Sequence, residues 1–313
     1  GWTLTRAGID WRMTDAGHDS AASRVAAGII NPVTGQRWVK TWRIEELWPE
    51  TRDDYQEMGR DLGVTLWREL KIRRFWRTDK EKRVLLAKCE RGVLEPYVTS
   101  IDTQSCLLSP AAQVDLPTML AAARERWLAE GRLTEGHADW REIMEQYPLV
   151  IDCTGAASRE GPFAAWQFAI SKGEVLRAQV QGLDAGMILH RGHWLLPVEK
   201  GDAWIGATHE PGVADVTPTD VARDSLLASA HRLTDGKITP MAHLVGLRLA
   251  ARDMKPVVGR HPEKFGLGIL SALGSKGVLY APWLARQWVE HLLHNTSFDP
   301  DVDISRVDAG RAD

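Results

Sequence analysis

Two features near the end of the chain are suited to negatively charged groups. The turn Gly274-Ser275-Lys276-Gly277 follows an apolar run, 267–273, and leads directly into an amphipathic stretch, 278–293. A buried strand, a glycine turn and a helix start leave the first-turn N–H groups without intrahelical acceptors, at the positive end of the helix dipole. Gly274 through Val278 is therefore a candidate seat for the polar edge of a cofactor, and Lys276 is also a candidate catalytic side chain. Upstream, Val-Gly-Leu-Arg at 245–248 presents Arg248. Its fork of guanidinium donors suits a carboxylate, so Arg248 is the candidate substrate anchor. Read from the residues alone, a structural pair with Asp253 or another acid is the favoured role for Arg248.

Such groups need a scaffold. Leu149-Val150-Ile151-Asp152-Cys153 reads as a buried strand running into the turn Thr154-Gly155-Ala156, and ligands of doubly wound sheets bind outside the carboxyl ends of such strands. Residues 9–14 read as another strand, ending in Asp15, where an acidic side chain holds a nucleotide ribose in many βαβ units. Residues 2–7 read as a short helix. The strand and Gly-x-Gly-x-x-Gly turn expected before it are not in this sequence, and only fourteen positions separate Gly1 from Asp15, against about 20 in the usual fingerprint. Gly1 fits the last glycine of such a turn, so the expectation is a nucleotide-binding domain that is incomplete at its front.

The small-residue segment 21–35, with Pro32 and Gly35 as turn markers, reads by composition as a surface loop followed by a strand. Residues 53–70 read as a helix, with Tyr55, Met58, Leu62, Leu66 and Leu70 at helical spacing. Strands are expected at 94–101 and 105–108. A helix starts at the Asp115 cap, carries Pro117 in its first turn and stops at Gly131. Between 174 and 210 the rhythm is that of strands, with a hairpin turn at Gly201-Asp202, and 219–233 is helical. The overall reading is a mixed α/β, α+β chain. The cofactor domain is assigned to 1–45, 108–165 and 245–313, and an inserted antiparallel-sheet substrate domain to 46–107 and 166–244.

Composition narrows the function. With 313 residues, 26% charged, 44% hydrophobic and a net charge of −3, the chain is an ordinary globular protein without a surface devoted to nucleic acid. Cys89, Cys106 and Cys153 have no metal-type spacing and fit reduced cytoplasmic thiols. No apolar run reaches bilayer-spanning length. The 14 tryptophans read mainly as packing. The basic run 68–83, with Phe75 and Trp76 inside it, could meet RNA, although a solvated face is the commoner use of such a run. His190 and His193, flanking Arg191-Gly192 on a strand edge, could meet a substrate but read as ordinary rim residues, and the Asp-rich tail after Thr296 reads as a loosely held end.

Four stretches together resemble the flavin-dependent D-amino-acid oxidase and glycine oxidase superfamily: 23–35, Val150–Ser158, Trp194–Thr208 and Gly246–Pro282. The last is the most specific, with Gly-Leu-Arg, Asp253, Pro256, Gly-Arg-His-Pro at 259–262, Gly-Ser-Lys-Gly and Ala281-Pro282. The same pattern also resembles the flavin domain of a tRNA-modifying enzyme that acts on a carboxymethylaminomethyl uridine. The resemblance implies a Rossmann-like FAD-binding domain with a smaller antiparallel sheet over the flavin. It implies that Asp15 holds the adenosine ribose, that Ser23, Ala27 and Gly28 lie near the flavin ring, that Thr154 and Gly155 line the FAD, and that 274–278 cap its pyrimidine edge. Arg248 matches the arginine that pairs with the substrate carboxylate. Ser275-Lys276 stands where glycine oxidase carries a second arginine. No cysteine lies near Arg248, so the flavin is expected to be non-covalent.

The expected chemistry is oxidation of a C–N bond of a small amine or amino acid, with hydride passing to FAD and oxygen or another acceptor taking the electrons. The alternatives are a tRNA-modifying flavoprotein and a non-catalytic remnant of the fold that lacks the nucleotide-binding turn.

Overall fold

The two longest strands, Ala169–Val180 and Ile238–Ala250, pair antiparallel from Ala169 opposite Ala250 to Val180 opposite Ile238. The first is buried through its middle, as expected of a strand with neighbours on both edges and cover on both faces. The computed structural model, which describes residues 1–17 and 21–307, places this pair in a ten-stranded sheet. From Ala169–Val180 the sheet continues through Asp202–Gly206, His193–Pro197, Met187–Arg191, Trp67–Phe75 and Ser105–Val114. Residues two apart face the same side of a strand, and this alternation separates two cores. On one face Leu176, Ala178, Leu195 and Ile205 pack with Leu226 and Ala230 of helix Asp220–His231. On the other, Ile72, Leu108, Val175, Ile188, Leu196 and Trp204 join the main core, together with side chains of helices Ile44–Leu62 and Gly277–His294.

Strands Met187–Arg191 and Trp67–Phe75 run parallel within the large sheet, and two short parallel pairs lie outside it. Met13–Asp15 pairs with Leu133–Glu135, and Val150–Asp152 pairs with Leu267–Ser271, which Val257–Arg260 extends antiparallel. Helix Leu116–Ala129 has its Asp115 cap, which accepts from the Thr118 N–H at 3.2 Å, and Gly131 follows it at φ +65°. Helix Gly277–His294 packs against the Leu267–Ser271 strand through Trp288. A Cβ on Gly268 would meet that indole at 2.3 Å, so only glycine permits the approach. Arg286 of the same helix pairs with Glu50 and Asp54 of helix Ile44–Leu62.

Several expectations are corrected. The helix expected at 53–70 is Ile44–Leu62, ended by Gly63 at φ +71°, and Leu66 and Leu70 belong to the strand side of the break. In that strand, Leu70, Ile72 and Arg74 point inward while Lys71 and Arg73 are exposed. The basic run is therefore divided between two environments and is not one continuous face. The tail after Thr296 is anchored through its described part, to residue 307, and the rest lies outside the described residues: Phe298, Val302 and Ile304 are buried, Asp299 accepts from Arg43 at 2.6 Å and Asp301 from Lys255 at 2.6 Å. The 21–35 segment is not a plain surface loop. It forms a helical turn, Ala22–Val25, with Val25, Ala27 and Gly28 buried. No helix among the described residues is long and apolar enough to cross a membrane.

Candidate active site

Arg248 stands near the end of strand Ile238–Ala250, opposite Ser171. Two segments close on that strand end. From one side, Ala21 bridges to Leu247, and a Cβ on Gly246 would meet Val25 Cβ at 3.2 Å and Ala22 Cα at 3.3 Å. Gly28, at φ +72°, continues this segment onto the sheet, where a Cβ would sit 1.9 Å from the Val114 carbonyl oxygen. From the other side, the Gly274 N–H donates to the Leu249 carbonyl at 2.9 Å, and Leu273 bridges to Ala250. The small-residue segment, Arg248 and the Gly-Ser-Lys-Gly turn, distant in sequence, thus meet at one strand end.

The guanidinium of Arg248 lies over Gly173, where a Cβ would come within 2.2 Å of Nη2. Nη1 donates to the Thr208 carbonyl at 3.2 Å. No carboxylate among the described residues pairs with Arg248, and burial alone pushes its pKa down. The alternative pairing with Asp253 is overturned, because that carboxylate pairs with Arg306 at 3.0 Å. Lys276 behaves in the same way: it has no partner among the described residues, and burial lowers its pKa. Gly274, at φ +57°, makes the turn; Ser275 is exposed, Gly277 opens the helix and Val278 is buried. The Leu279 and Tyr280 N–H groups donate to the Lys276 carbonyl, whereas those of Gly277 and Val278 have no acceptor among the described residues. An open helix start beside an unpaired cation attracts an anion.

Thr154 follows strand Val150–Asp152 by two residues. Its N–H and Oγ1 donate to Asp152 at 2.8 and 2.7 Å, and Gly155, at φ +62°, begins a tight turn. Ser158 links that turn to Ser271, with the hydroxyls 3.5 Å apart. Asp15 lies at the end of its strand, but its carboxylate is already engaged: Oδ1 accepts from the Gly17 N–H at 2.9 Å and Oδ2 from Arg124 at 2.7 Å. A ribose would have to use its remaining lone pairs. Gly1 sits against Trp127 and Trp11, where a Cβ would meet ring atoms at 2.8 and 2.9 Å. Ser23 is exposed on the helical turn, with Ala27 buried beyond it.

Two residues with evident roles were not visible in the sequence as such. Gly173 accommodates the arginine; a glycine inside a strand is a sign of close approach, though not of what approaches. His190, expected at the rim, points inward with its Nδ1 buried and without a partner. Burial, with Arg74, Arg77 and His193 nearby, pushes its pKa down to about 3.

The free N–H groups of Gly277 and Val278 and the unpaired Lys276 together fit the electron-rich edge of a cofactor. A parallel α/β layer that presents a helix start to the end of a large, mostly antiparallel sheet is the build of a flavin-dependent oxidoreductase. The chain belongs to the FAD-dependent oxidoreductase family called DAO, whose model it matches over residues 1–291. It is 36% identical over 98 residues to the glycine oxidase of Pseudomonas aeruginosa, covering 31% of this chain and 27% of that one. It is 38% identical over 95 residues to the tRNA 5-methylaminomethyl-2-thiouridine biosynthesis bifunctional protein of Maricaulis maris, covering 30% of this chain and 16% of that one. The alignments thus span less than a third of either relative. Among solved structures, iminodiacetate oxidase from Chelativorans sp. BNC1 superposes with a TM-score of 0.77 at 16% identity, over 98% of this chain and 94% of that one. At that identity the likeness shows the fold.

Proposed function

We propose that this FAD-dependent oxidoreductase oxidises the C–N bond of a small amine or amino acid that carries a carboxylate, and that Arg248 anchors that carboxylate. The observation that carries this reading is a half-buried arginine with no counter-ion among the described residues. A buried charge left unpaired is costly, and a substrate carboxylate would complete the site with two parallel charge-assisted hydrogen bonds.

FAD, held non-covalently, supplies the two-electron acceptor. Residues 274–278 would hold its pyrimidine edge, where the helix start and Lys276 favour negative charge. Ser23, Ala27 and Gly28 would lie against the ring, Thr154 and Gly155 would line the cofactor, and Asp15 would take the ribose. Arg248, fixed by Gly173 and the Thr208 carbonyl, orients the substrate by its carboxylate. The substrate amine need only be neutral, so no general base is required of the chain. Lys276, close in sequence to the Leu249–Gly274 contact, is a second cation for the substrate or cofactor anion.

Gel filtration after incubation with FAD, followed by an anaerobic screen with glycine, sarcosine and D-amino acids, tests the proposal. Retained flavin bands that bleach with one of these amines support it, and acid precipitation should release the flavin into the supernatant. No retained flavin with FAD in excess would favour the non-catalytic reading. The match to a tRNA-modifying relative supports a second reading, action on a modified uridine. Salt-sensitive tRNA binding, with flavin bleached by modified tRNA and by no free amine, would favour it.

A further inference from the structure

A second polar site lies further across the large sheet from Arg248. Five strand steps separate strand Ile238–Ala250 from strand Trp67–Phe75, roughly 24 Å at about 4.8 Å per step. A cavity of about 200 Å³ opens there between the Gly35 turn, Arg74, Arg77, Glu81, His190 and Gly192. Arg74 is 5% exposed, stacks on Trp38 with its guanidinium carbon 3.7 Å from the ring centroid, and donates to the carbonyls of Val33 at 3.1 Å and Gly35 at 2.6 Å. Those bonds use two of five donors, and no carboxylate pairs with Arg74 among the described residues. The carboxylate that lines the cavity, Glu81, is taken up by Arg77: it accepts from the backbone N–H at 2.8 Å, from Nε at 3.0 Å and from Nη2 at 2.6 Å. His190, paired in register with Arg74, brings a buried Nδ1 that has no partner. Arg74 and Arg77 against Glu81 leave one net positive charge, and the neutral imidazole can donate from Nδ1.

We propose that this cavity binds a small oxyanion, a carboxylate or a phosphate group, between Arg74 and the Nδ1–H of His190. A guanidinium with spare donors, an unsatisfied imidazole nitrogen and a net positive wall are what such a group needs. The volume lies below the roughly 300–1,000 Å³ of pockets that enclose drug-sized ligands, so the ligand is a small ion or the end of a larger molecule. The site is separate from the flavin reading and stands without it.

Calorimetric titration of the FAD-loaded protein with inorganic phosphate, and separately with acetate, at fixed ionic strength tests the proposal. Both titrations are repeated in an Arg248→Met background, which removes the carboxylate anchor of the substrate site. Saturable binding should persist in that background and weaken about tenfold or more in Arg74→Met and in His190→Phe. The two anions distinguish a phosphate ligand from a carboxylate one. His190→Phe covers the case in which Arg74→Met fails to fold, since it leaves the Trp38 stack intact. No saturable heat with either anion, or equal affinity in His190→Phe, would overturn the proposal.

Discussion

Arg248 and Gly173 lie in contact across two paired strands, with the guanidinium resting on the glycine Cα so closely that a Cβ there would meet Nη2 at 2.2 Å. Gly173→Ala therefore moves the arginine while leaving its charge in place. A displacement near 1 Å at a positioning group costs on the order of 100-fold in rate. The expected outcome is a loss of that size in kcat/KM, carried mainly by KM, with flavin still bound. Steady-state kinetics on the amine found by the screen would read it, and unchanged kinetics would mean that the contact does not position the substrate.

Removing the charge separates binding from folding. Arg248→Met should lower kcat/KM by roughly 10- to 100-fold, the worth of a charge-assisted hydrogen bond. It should leave the thermal midpoint of the FAD-free protein equal or higher, because it removes a half-buried cation that lacks a counter-ion. Arg248→Lys should recover only part of the rate, since an ammonium cannot form the two-pronged pair. Paired kinetics and thermal melts measure both effects.

Lys276 gives a pH signature. Burial lowers its folded pKa below the ordinary 10.5, so between the lowered value and 10.5 the unfolded chain binds more protons. The FAD-free wild type thus gains stability as pH rises through that window. Lys276→Met should be at least as stable as wild type at pH 7, and its advantage should shrink as pH approaches 10.5. With FAD present the variant should bind the cofactor more weakly. Denaturant melts at pH 7 and 10, with and without FAD, check the sign; an advantage that grows with pH would be inconsistent with a half-buried, unpaired lysine.

His190 acts at the acid end. Its folded pKa is near 3 against 6.5 unfolded, so the unfolded state takes up a proton first as pH falls, and stability is lost from pH 6.5 downward. At pH 5 the loss is about 2 kcal/mol, at about 1.4 kcal/mol per pH unit. His190→Phe should show a correspondingly smaller loss between pH 7 and 5 than wild type in urea melts. Identical slopes would place His190 in contact with water.

Much of the site was legible because its parts are local. The Gly-Ser-Lys-Gly turn, the helix after it and the strand before it follow from glycine, helical spacing and an apolar run, and the structure has them at Leu267–Ser271 and Gly277–His294. The Asp115 cap was legible for the same reason. What escaped depends on register between distant strands. Gly173 meets Arg248 only because Ser171 and Gly173 fall opposite Arg248 and Gly246, and a one-residue slip would turn the arginine to the other face. His190 was misread because His-Arg-Gly-His has no apolar alternation to say which residue faces inward. The strand Trp67–Phe75 alternates apolar with basic residues, and the helical spacing of Leu62, Leu66 and Leu70 runs across the break at Gly63.

The most direct test of the central claim is anaerobic rapid mixing of the FAD-loaded protein with the active amine, in wild type and in Arg248→Met, with absorbance at the flavin band followed over a range of amine concentrations. A carboxylate anchor at the flavin predicts saturable bleaching in wild type. In Arg248→Met the half-saturating concentration should be raised at least about tenfold, and an amine analogue without the carboxylate should react alike in both proteins. Equal saturation in the two proteins for the carboxylate-bearing amine would contradict the account.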